Sequence, residues 1–239
     1  MSRPPSAMLG QPLERAEWER ARMRGVKALK ARAILCRHGA TDYPADQFYA
    51  RGDGPSLNAA GVAQAEALGR WFAKRGEAIE ALCVSPSLRT RQTSAPIERA
   101  LGIPSTVVEG LTERSVGRWD GRFVDDIRKE DPEGWKRWKS EPATFAPPEG
   151  ESLVDFVERI DPMLTTLIQR HPGGTIVLVT HVGPIRALLG SALGCPPEHG
   201  KRFVIEPGSV TCIDYTSLWP NLVLMGLQPS DEDGHQVVD

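Results

Sequence analysis

The chain has 239 residues, with 29 Lys and Arg against 31 Asp and Glu, so its formal net charge is −2 at neutral pH. This length is sufficient for one sizeable α/β domain with a large buried core. The balanced charge excludes the basic footprint of a nucleic-acid-binding protein. No apolar run reaches the roughly 18 residues that a membrane-spanning helix needs, so we expect no membrane partner.

The two ends of the chain differ from its middle in composition. Residues 1–31 comprise a short tail and then a charged segment, from about residue 12, that we expect to be a helix. Such a helix would either lie against the domain surface or act as the arm of a homodimer. The first 30 residues lack the apolar core of a secretory signal. Residues 229–239 form an acidic tail.

The chain contains 4 cysteines, which are widely separated and show no C-x-x-C spacing. Most of them lie in apolar, strand-like segments, where we expect buried thiols rather than disulfides or metal ligands. Reduced thiols are typical of a cytoplasmic protein, which is the location we expect. The positions are Cys36, Cys83, Cys195 and Cys212.

Two apolar runs end in the same way, each followed by a histidine. Residues 33–36 predict a short buried strand, and Arg37 and His38 follow it directly. Residues 175–180 predict a second strand, and His181 follows that one. Because ligands of open α/β sheets bind outside the carboxyl ends of the strands, both imidazoles are candidates for one pocket.

A third strand end adds a second arginine. Residues 81–84 predict a strand, and the loop after it leads into a helix that carries Arg89 near its first turn. The free N–H groups and the dipole of a helix N-terminus favour an anion. Guanidinium groups bind phosphate oxygens in a bidentate manner, so Arg89, Arg37 and the two histidines indicate a site for an oxyanion.

The remaining segments predict alternating strands and helices. Asn58 caps one helix, Ser152 and Asp155 form a capping box for another, and a further helix is expected from Pro184. This alternation favours a three-layer α/β/α sandwich with a mostly parallel sheet. The other predicted strands are residues 106–108, 209–215 and 221–226.

Five motifs occur in a fixed order: R-H-G-A-T at 37–41, S-P-S-L-R-T-R-Q-T at 85–93, L-T-E-R-S-V-G-R-W-D-G at 111–121, G-E-S at 150–152 and T-H-V-G-P-I-R at 180–186. This set resembles the histidine phosphatase superfamily, in its phosphoglycerate-mutase-like branch, from about residue 32 to residue 215. We therefore assign residues 32–228 to a histidine phosphatase domain. Within it, residues 122–150 are a candidate lid insertion or, alternatively, a packing flap.

The resemblance implies a phosphomonoesterase that needs neither metal nor cofactor and acts through a phosphohistidine. His38 is implied to be the nucleophile, and Glu113 the general acid that later serves as base toward water. The histidines have no carboxylate or cysteine at metal-ligand spacing. The other implied site residues are His181 as a catalytic residue and Arg37, Arg89, Thr41 and Val182 as substrate-binding residues.

The segment after His38 departs from the family pattern. Ala40 stands where a glutamate is usual, and Pro44 stands where an asparagine usually helps to hold the phosphate. The loop that follows is long and aromatic, which is typical of a binding loop. Its Tyr49 or Arg51 is a candidate to replace the missing amide.

A phosphoglycerate mutase is the main alternative, because it would share the phosphohistidine. It needs a second anionic subsite under a long cover, and the segment from Glu113 to Gly150 is shorter than its counterpart in the family's mutases. That difference favours a phosphatase. Four arginines of the segment are nevertheless candidates for such a subsite: Arg114, Arg118, Arg122 and Arg128.

Two further alternatives are compatible with parts of the sequence. Cys83 and Arg89 have the C-x₅-R spacing of cysteine-dependent phosphatases, but Pro86 removes a backbone donor and the apolar surroundings disfavour a thiolate. The second of these alternatives is a catalytically inactive scaffold protein that binds phosphate. The substrate is left open among sugar phosphates, phosphoglycerate derivatives, a nucleoside phosphate such as α-ribazole phosphate, and phosphohistidine protein.

Overall fold

The computed structural model describes residues 30–49 and 52–230 of the chain. Outside these residues lie the predicted N-terminal helix, Arg51 and almost all of the acidic tail. The prediction of a homodimer through that helix therefore concerns residues outside the described part. None of the helices in the described part is long and apolar enough to cross a membrane.

The strands of the described chain form one sheet: β1 Ala31–Arg37, β2 Ile79–Val84, β3 Ser105–Val107, β4 Thr175–Thr180, β5 Val210–Tyr215 and β6 Pro220–Leu227. Their order is β3-β2-β4-β1-β5-β6. Strands β1 to β4 pair in parallel, whereas β5 is antiparallel to both β1 and β6. The predicted α/β fold with a mostly parallel sheet is confirmed, and its antiparallel edge was not predicted.

The described helices are α1 Ala59–Arg75, α2 Leu88–Leu101, α3 Val124–Glu130, α4 Pro132–Ser140, α5 Leu153–Arg170 and α6 Val182–Leu193. The predicted caps are present, since Asn58 Oδ1 accepts from the Gly61 amide at 2.8 Å and Ser152 forms a capping box with Asp155. Helix α6 begins two residues before the predicted Pro184, which lies in its first turn, where a missing N–H is tolerated.

Strands β1 and β4 are buried on both faces. Leu35 and Leu178 belong to the core that α5 and α6 cover, and Ile34 and Val177 belong to the core that α1 and α2 cover. Strands buried in this way appear in a sequence as continuous apolar runs, as these two do. The helices on the two faces complete the three layers that the sequence predicted.

The pairing of β1 with β4 places the two histidines side by side. Arg37 is opposite Thr180 in the register, and the His38 amide donates to the Thr180 carbonyl at 2.9 Å. His181 follows Thr180 directly, so both imidazoles leave the sheet at adjoining strand ends. Their ring centroids are 5.2 Å apart.

Residues 122–150 pack, together with neighbouring residues, around a small aromatic core that is separate from the two cores of the sheet. Trp119 is 2% exposed at its centre and contacts the rings of Phe48, Trp138 and Phe145. Phe48 comes from the loop after β1, so that loop and the segment form one packed unit. The segment thus has the packing of a flap, and its movement as a lid stays a prediction.

Candidate active site

His38 is a neutral imidazole with one ring nitrogen available. Its Nδ1 lies 2.8 Å from the Gly39 carbonyl oxygen, which can only accept, so Nδ1 carries the proton. Burial and the nearby charge of Arg89 lower the pKa of His38 to about 3. The Nε2 atom therefore keeps its lone pair at neutral pH, as a nucleophile at phosphorus requires.

Gly39 is needed where the end of β1 meets helix α1. A Cβ at this position would lie 2.5 Å from the Gly61 carbonyl oxygen, closer than the backbone can accommodate. The Gly39 amide also donates to Thr93 Oγ1 of α2 at 3.0 Å. The turn that carries His38 is thus fixed against both helices on this face of the sheet.

His181 is held through both of its ring nitrogens. It is 1% exposed, its Nδ1 lies 3.0 Å from Arg89 Nη2, and its Nε2 lies 2.8 Å from Ser85 Oγ. Because a guanidinium only donates, Nδ1 accepts from Arg89 and Nε2–H donates to Ser85. Burial, together with the charge of Arg89, holds the pKa of His181 well below its usual value. In this geometry His181 is a neutral support for Arg89.

Arg37 and Arg89 each have a buried side-chain N–H group without a hydrogen-bond partner among the described residues. Arg37 Nη1 donates to the Ile205 carbonyl at 2.5 Å, while its Nε has no hydrogen-bond partner among the described residues. Arg89 Nη1 is also buried and lacks such a partner, and the Tyr49 ring centroid lies 5.2 Å from that guanidinium. A buried unpaired donor costs about 1–3 kcal/mol, which a bound oxyanion would offset.

Glu113 is held at the N-terminus of α6. Its Oε2 accepts from the Gly183 amide at 2.9 Å, and its Oε1 accepts from the Arg114 amide at 2.7 Å. A Cβ at position 183 would collide with the Glu113 carboxylate in this position, so a larger residue there would displace that side chain from the Gly183 amide. Since Gly183 is two residues after His181, one turn of the chain fixes both the acid and the second imidazole.

An ion pair that the sequence does not indicate, between Arg159 and Glu151, holds the Glu113 loop. Arg159 on α5 binds Glu151 of the G-E-S motif at 2.7 Å and donates to the Gly110 carbonyl at 2.9 Å. Glu151 also accepts from the Ser115 amide at 2.9 Å. Although burial opposes its charge, these hydrogen bonds keep the pKa of Glu151 below its usual value. The loop is therefore anchored on both sides of Glu113.

The predicted site residues differ in how close they come to one another. Thr41 pairs with Leu57 beside the loop, and no hydrogen bond of the described residues joins its side chain to either imidazole. Val182 begins α6 and packs against the core, so substrate contacts by Thr41 and Val182 stay predictions. The residues that the structure gathers at the carboxyl ends of β1, β2 and β4 are Arg37, His38, Arg89, Glu113 and His181.

Cys83 lacks the surroundings of a nucleophile. It is 3% exposed in β2 and packs in the core that α5 covers. Burial raises the pKa of the Cys83 thiol, which disfavours the thiolate of a cysteine-dependent phosphatase. The described residues also form no group of three or more His, Cys, Asp or Glu side chains that could hold a metal ion.

Known proteins with similar sequences and structures include several phosphatases. Phosphoserine phosphatase 1 of Hydrogenobacter thermophilus is 30% identical over 162 residues, which cover 67% of this chain and 75% of that protein. Mycobacterial glucosyl-3-phosphoglycerate phosphatase Rv2419c, in a structure with VO3, superimposes with a TM-score of 0.71 at 28% identity, covering 82% of this chain and 98% of that chain.

A longer relative and a family profile complete the comparison. Bifunctional protein Rv2228c of Mycobacterium tuberculosis is 33% identical over 191 residues, or 80% of this chain. The chain spans only about half of that relative's length, since the match covers 52% of it. The profile of the histidine phosphatase superfamily, branch 1, matches residues 33–228. The chain therefore belongs to the histidine phosphatase superfamily, in its branch 1.

Proposed function

We propose that the protein hydrolyses a small phosphorylated metabolite, without metal or cofactor, through a phosphohistidine at His38. The observation that carries this proposal is the available Nε2 of a neutral His38, together with buried donors of Arg37 and Arg89 that have no partner in the described part of the chain. Membership of a family with phosphatases among its named relatives supports the same reaction.

In the first step, the lone pair of His38 Nε2 attacks phosphorus, the N–P bond forms and the ester P–O bond breaks. Glu113, which holds a proton at this stage, passes it to the departing alkoxide. The Nδ1–H bond to the Gly39 carbonyl supports the positive charge that develops on the ring. Arg37 and Arg89 stabilise the charge on the phosphoryl oxygens.

In the second step, water attacks the phosphohistidine. The Glu113 carboxylate takes a proton from that water, the new P–O bond forms, and the N–P bond breaks to restore the lone pair of His38. Glu113 is then protonated again for the next cycle, and the Gly183 amide holds it in place throughout. General acid–base help of this kind contributes roughly 10²–10⁴-fold.

The arginines that a mutase subsite would need are engaged within the protein. Arg114 is buried, donates to the carbonyls of Glu151 and Phe145, and lies over the Trp138 ring at 4.6 Å. The other three each pair with a carboxylate: Arg118 with Glu149, Arg122 with Glu130 and Arg128 with Asp125. This arrangement supports hydrolysis over transfer to a second anionic substrate.

Phosphate release from a panel of phosphomonoesters tests the proposed function. The panel includes phosphoserine and glucosyl-3-phosphoglycerate, after the names of the relatives. We expect release that requires His38, survives EDTA and is inhibited by vanadate, which mimics a five-coordinate phosphoryl group. Loss of activity on chelation, restored by a divalent ion, would contradict the proposal, and phosphate binding without any turnover would favour an inactive scaffold.

Incubation with 3-phosphoglycerate and catalytic 2,3-bisphosphoglycerate separates the phosphatase from the mutase. We expect free phosphate to form faster than 2-phosphoglycerate, because the four arginines of the 111–150 segment are engaged elsewhere. Isomerisation that outruns phosphate release would reverse the assignment.

A cytoplasmic location is part of the proposal. It is supported by the cysteines of the described chain, all of which are free thiols, since disulfides are rare in the cytosol. A homodimer through the N-terminal helix stays a prediction, which gel filtration coupled to light scattering would test.

A further inference from the structure

A cavity of about 460 Å³ adjoins Glu113 beside the first turn of α6. This volume falls within the range of about 300–1,000 Å³ that is typical of small-molecule sites. Glu113, Val182 and Gly183 line one part of the cavity, so it begins at the acid that protonates the leaving group. The alcohol part of a phosphomonoester bound at His38 would extend into this space.

The walls of this cavity are mostly apolar and partly aromatic. Phe48 and Trp138 line it with ring centroids 5.5 Å apart and planes at 88°, and Phe156 of α5 adds a third ring. Trp119 lies behind the first two rings, with centroids 5.7 Å from Phe48 and 5.5 Å from Trp138. An aromatic surface fixed in this way favours a planar apolar group, which can stack on it or meet it edge to face.

Charge also distinguishes this cavity from a second one, of about 600 Å³, that adjoins Glu113. The second cavity is lined by several carboxylates, and the one cation among its described lining residues, Arg159, is already paired with Glu151. In the first cavity three cations, Arg114, Arg186 and Lys201, outnumber two carboxylates, Glu113 and Glu198. A negatively charged phosphomonoester is therefore better accommodated in the first. The additional carboxylates of the second are Asp53, Glu109 and Glu149.

We propose that the cavity lined by Phe48 and Trp138 is the leaving-group pocket, an inference that rests on the proposed function. It selects phosphomonoesters whose alcohol part is a bulky, planar, apolar group. Small polar alcohols such as serine or glycerate are too small to cover both rings and leave the cavity unfilled. The substrate class is thus an aryl-alkyl or similarly large phosphomonoester, rather than a small hydroxy acid phosphate.

Two alkyl esters with alcohols of similar acidity test this inference, 2-(1-naphthyl)ethyl phosphate and ethyl phosphate. We expect kcat/KM of the wild type to favour the naphthyl ester by about tenfold or more, since apolar pockets discriminate at this level. Trp138→Ala should bring that ratio toward one. Trp135→Ala is the matched control, because Trp135 lies on the same helix and packs on the same aromatic cluster without lining the cavity.

Each outcome decides between the pocket and the reaction. A wild-type ratio near one, or the same loss of preference in both tryptophan variants, contradicts the proposal of a leaving-group pocket. Phosphate release from ethyl phosphate that requires His38 would still support the proposed function. If neither ester is hydrolysed, phosphate release from the panel of phosphomonoesters decides the proposed function, and calorimetric titration of the wild type with both esters decides whether the pocket prefers the naphthyl group. Equal affinities then overturn it, and tighter binding of the naphthyl ester that Trp138→Ala removes supports it.

Discussion

The ends of β1 and β4 share a local feature, an apolar strand followed by histidine, yet the two imidazoles are held differently. His38 is partly exposed, bonds to the carbonyl of the next residue and keeps Nε2 available. His181 is 1% exposed and uses both nitrogens, on Ser85 and Arg89. In the proposed reaction the first imidazole forms and breaks a covalent bond to phosphorus, whereas the second accepts a hydrogen bond from a guanidinium. The neighbours of each strand end, more than its own sequence, decide what its histidine can do.

The order of the strands explains this difference. Strand β4 lies between β1 and β2, so His181 is next to Ser85 and Arg89, which leave the sheet at the end of β2. Strand β1 has β4 on one side and the antiparallel β5 on the other. The turn before β5 meets His38 through its backbone, where the Gly208 amide donates to the His38 carbonyl at 3.1 Å. The imidazole of His38 is therefore left available for chemistry.

The largest expected effect is from removing the available imidazole. His38→Ala should lower kcat by roughly 10⁴-fold or more, because His38 carries the phosphoryl intermediate in the proposed mechanism. Acid-quenched wild-type enzyme should carry an acid-labile, base-stable phosphate that the variant lacks. Cys83→Ser is the control and should stay active, since that thiol is buried in the core. If Cys83→Ser were folded but inactive, the nucleophile would be the Cys83 thiol and not His38.

The next effect concerns the acid that is fixed at the β4 end. Glu113→Gln should lower kcat for an alkyl phosphate by about 10³-fold, within the usual range for general acid catalysis. The loss should be much smaller for p-nitrophenyl phosphate, since nitrophenolate leaves without a proton. Glu109→Gln, on the same loop but not bonded to Gly183, is the control. Equal losses on both esters would show that Glu113 only supports the structure.

Local signals made much of this fold and site predictable. The continuous apolar runs of β1 and β4 require burial on both faces, and the caps at Asn58 and Ser152 depend on residues only three positions away. Strand ends in a parallel sheet lie at one edge, so His38 and His181 could be placed together before their contacts were known. The ends of the strands and helices were predicted less accurately than their existence, and β3 begins one residue before the predicted position.

Contacts between distant parts of the chain could not be read from the sequence. Arg159 donates to a carbonyl 49 residues away, and Arg114 to one 31 residues away, although both were equally consistent with exposed positions. The tautomer of His181 depends on Arg89, 92 residues earlier in the chain. These pairings follow from how helices and loops pack, which the spacing of residue types does not specify.

A smaller effect tests whether His181 acts by holding Arg89. Ser85→Ala removes the acceptor of Nε2–H, and the loss of one neutral hydrogen bond should lower kcat/KM by about fivefold to tenfold. If Ser85 is a positioning residue, vanadate inhibition should weaken in parallel, because Arg89 binds the phosphoryl group. Ser94→Ala is the control, since Ser94 is also buried but bonds to Arg91 within α2. Unchanged vanadate affinity with a lower kcat would contradict this role.

The last prediction concerns stability and pH, where the two imidazoles should behave alike. Burial keeps the pKa of His38 at about 3 and that of His181 well below its usual value, so both are neutral in the folded protein. An unfolded histidine has a pKa of about 6.5, and below that pH the unfolded chain therefore binds more protons than the folded one. The stability that depends on the neutral state of these two imidazoles is therefore fully present above about pH 6.5, and it is lost as the pH falls below that value.

Between about pH 7.5 and about pH 5.5, each of these imidazoles should thus remove at most about 1.4 kcal/mol from the free energy of unfolding. Denaturant titrations at the two pH values measure this change. In His181→Asn the change in the free energy of unfolding between the two pH values should be smaller by the full contribution of one imidazole, because the His181 ring is 1% exposed. In His38→Asn the change should be smaller by at most the same amount, because that ring is partly exposed. If His181→Asn keeps the wild-type pH dependence, His181 is charged in the folded protein and donates from both nitrogens. Arg89 would then lose its acceptor, and the difference between the two strand ends would have to be explained in another way.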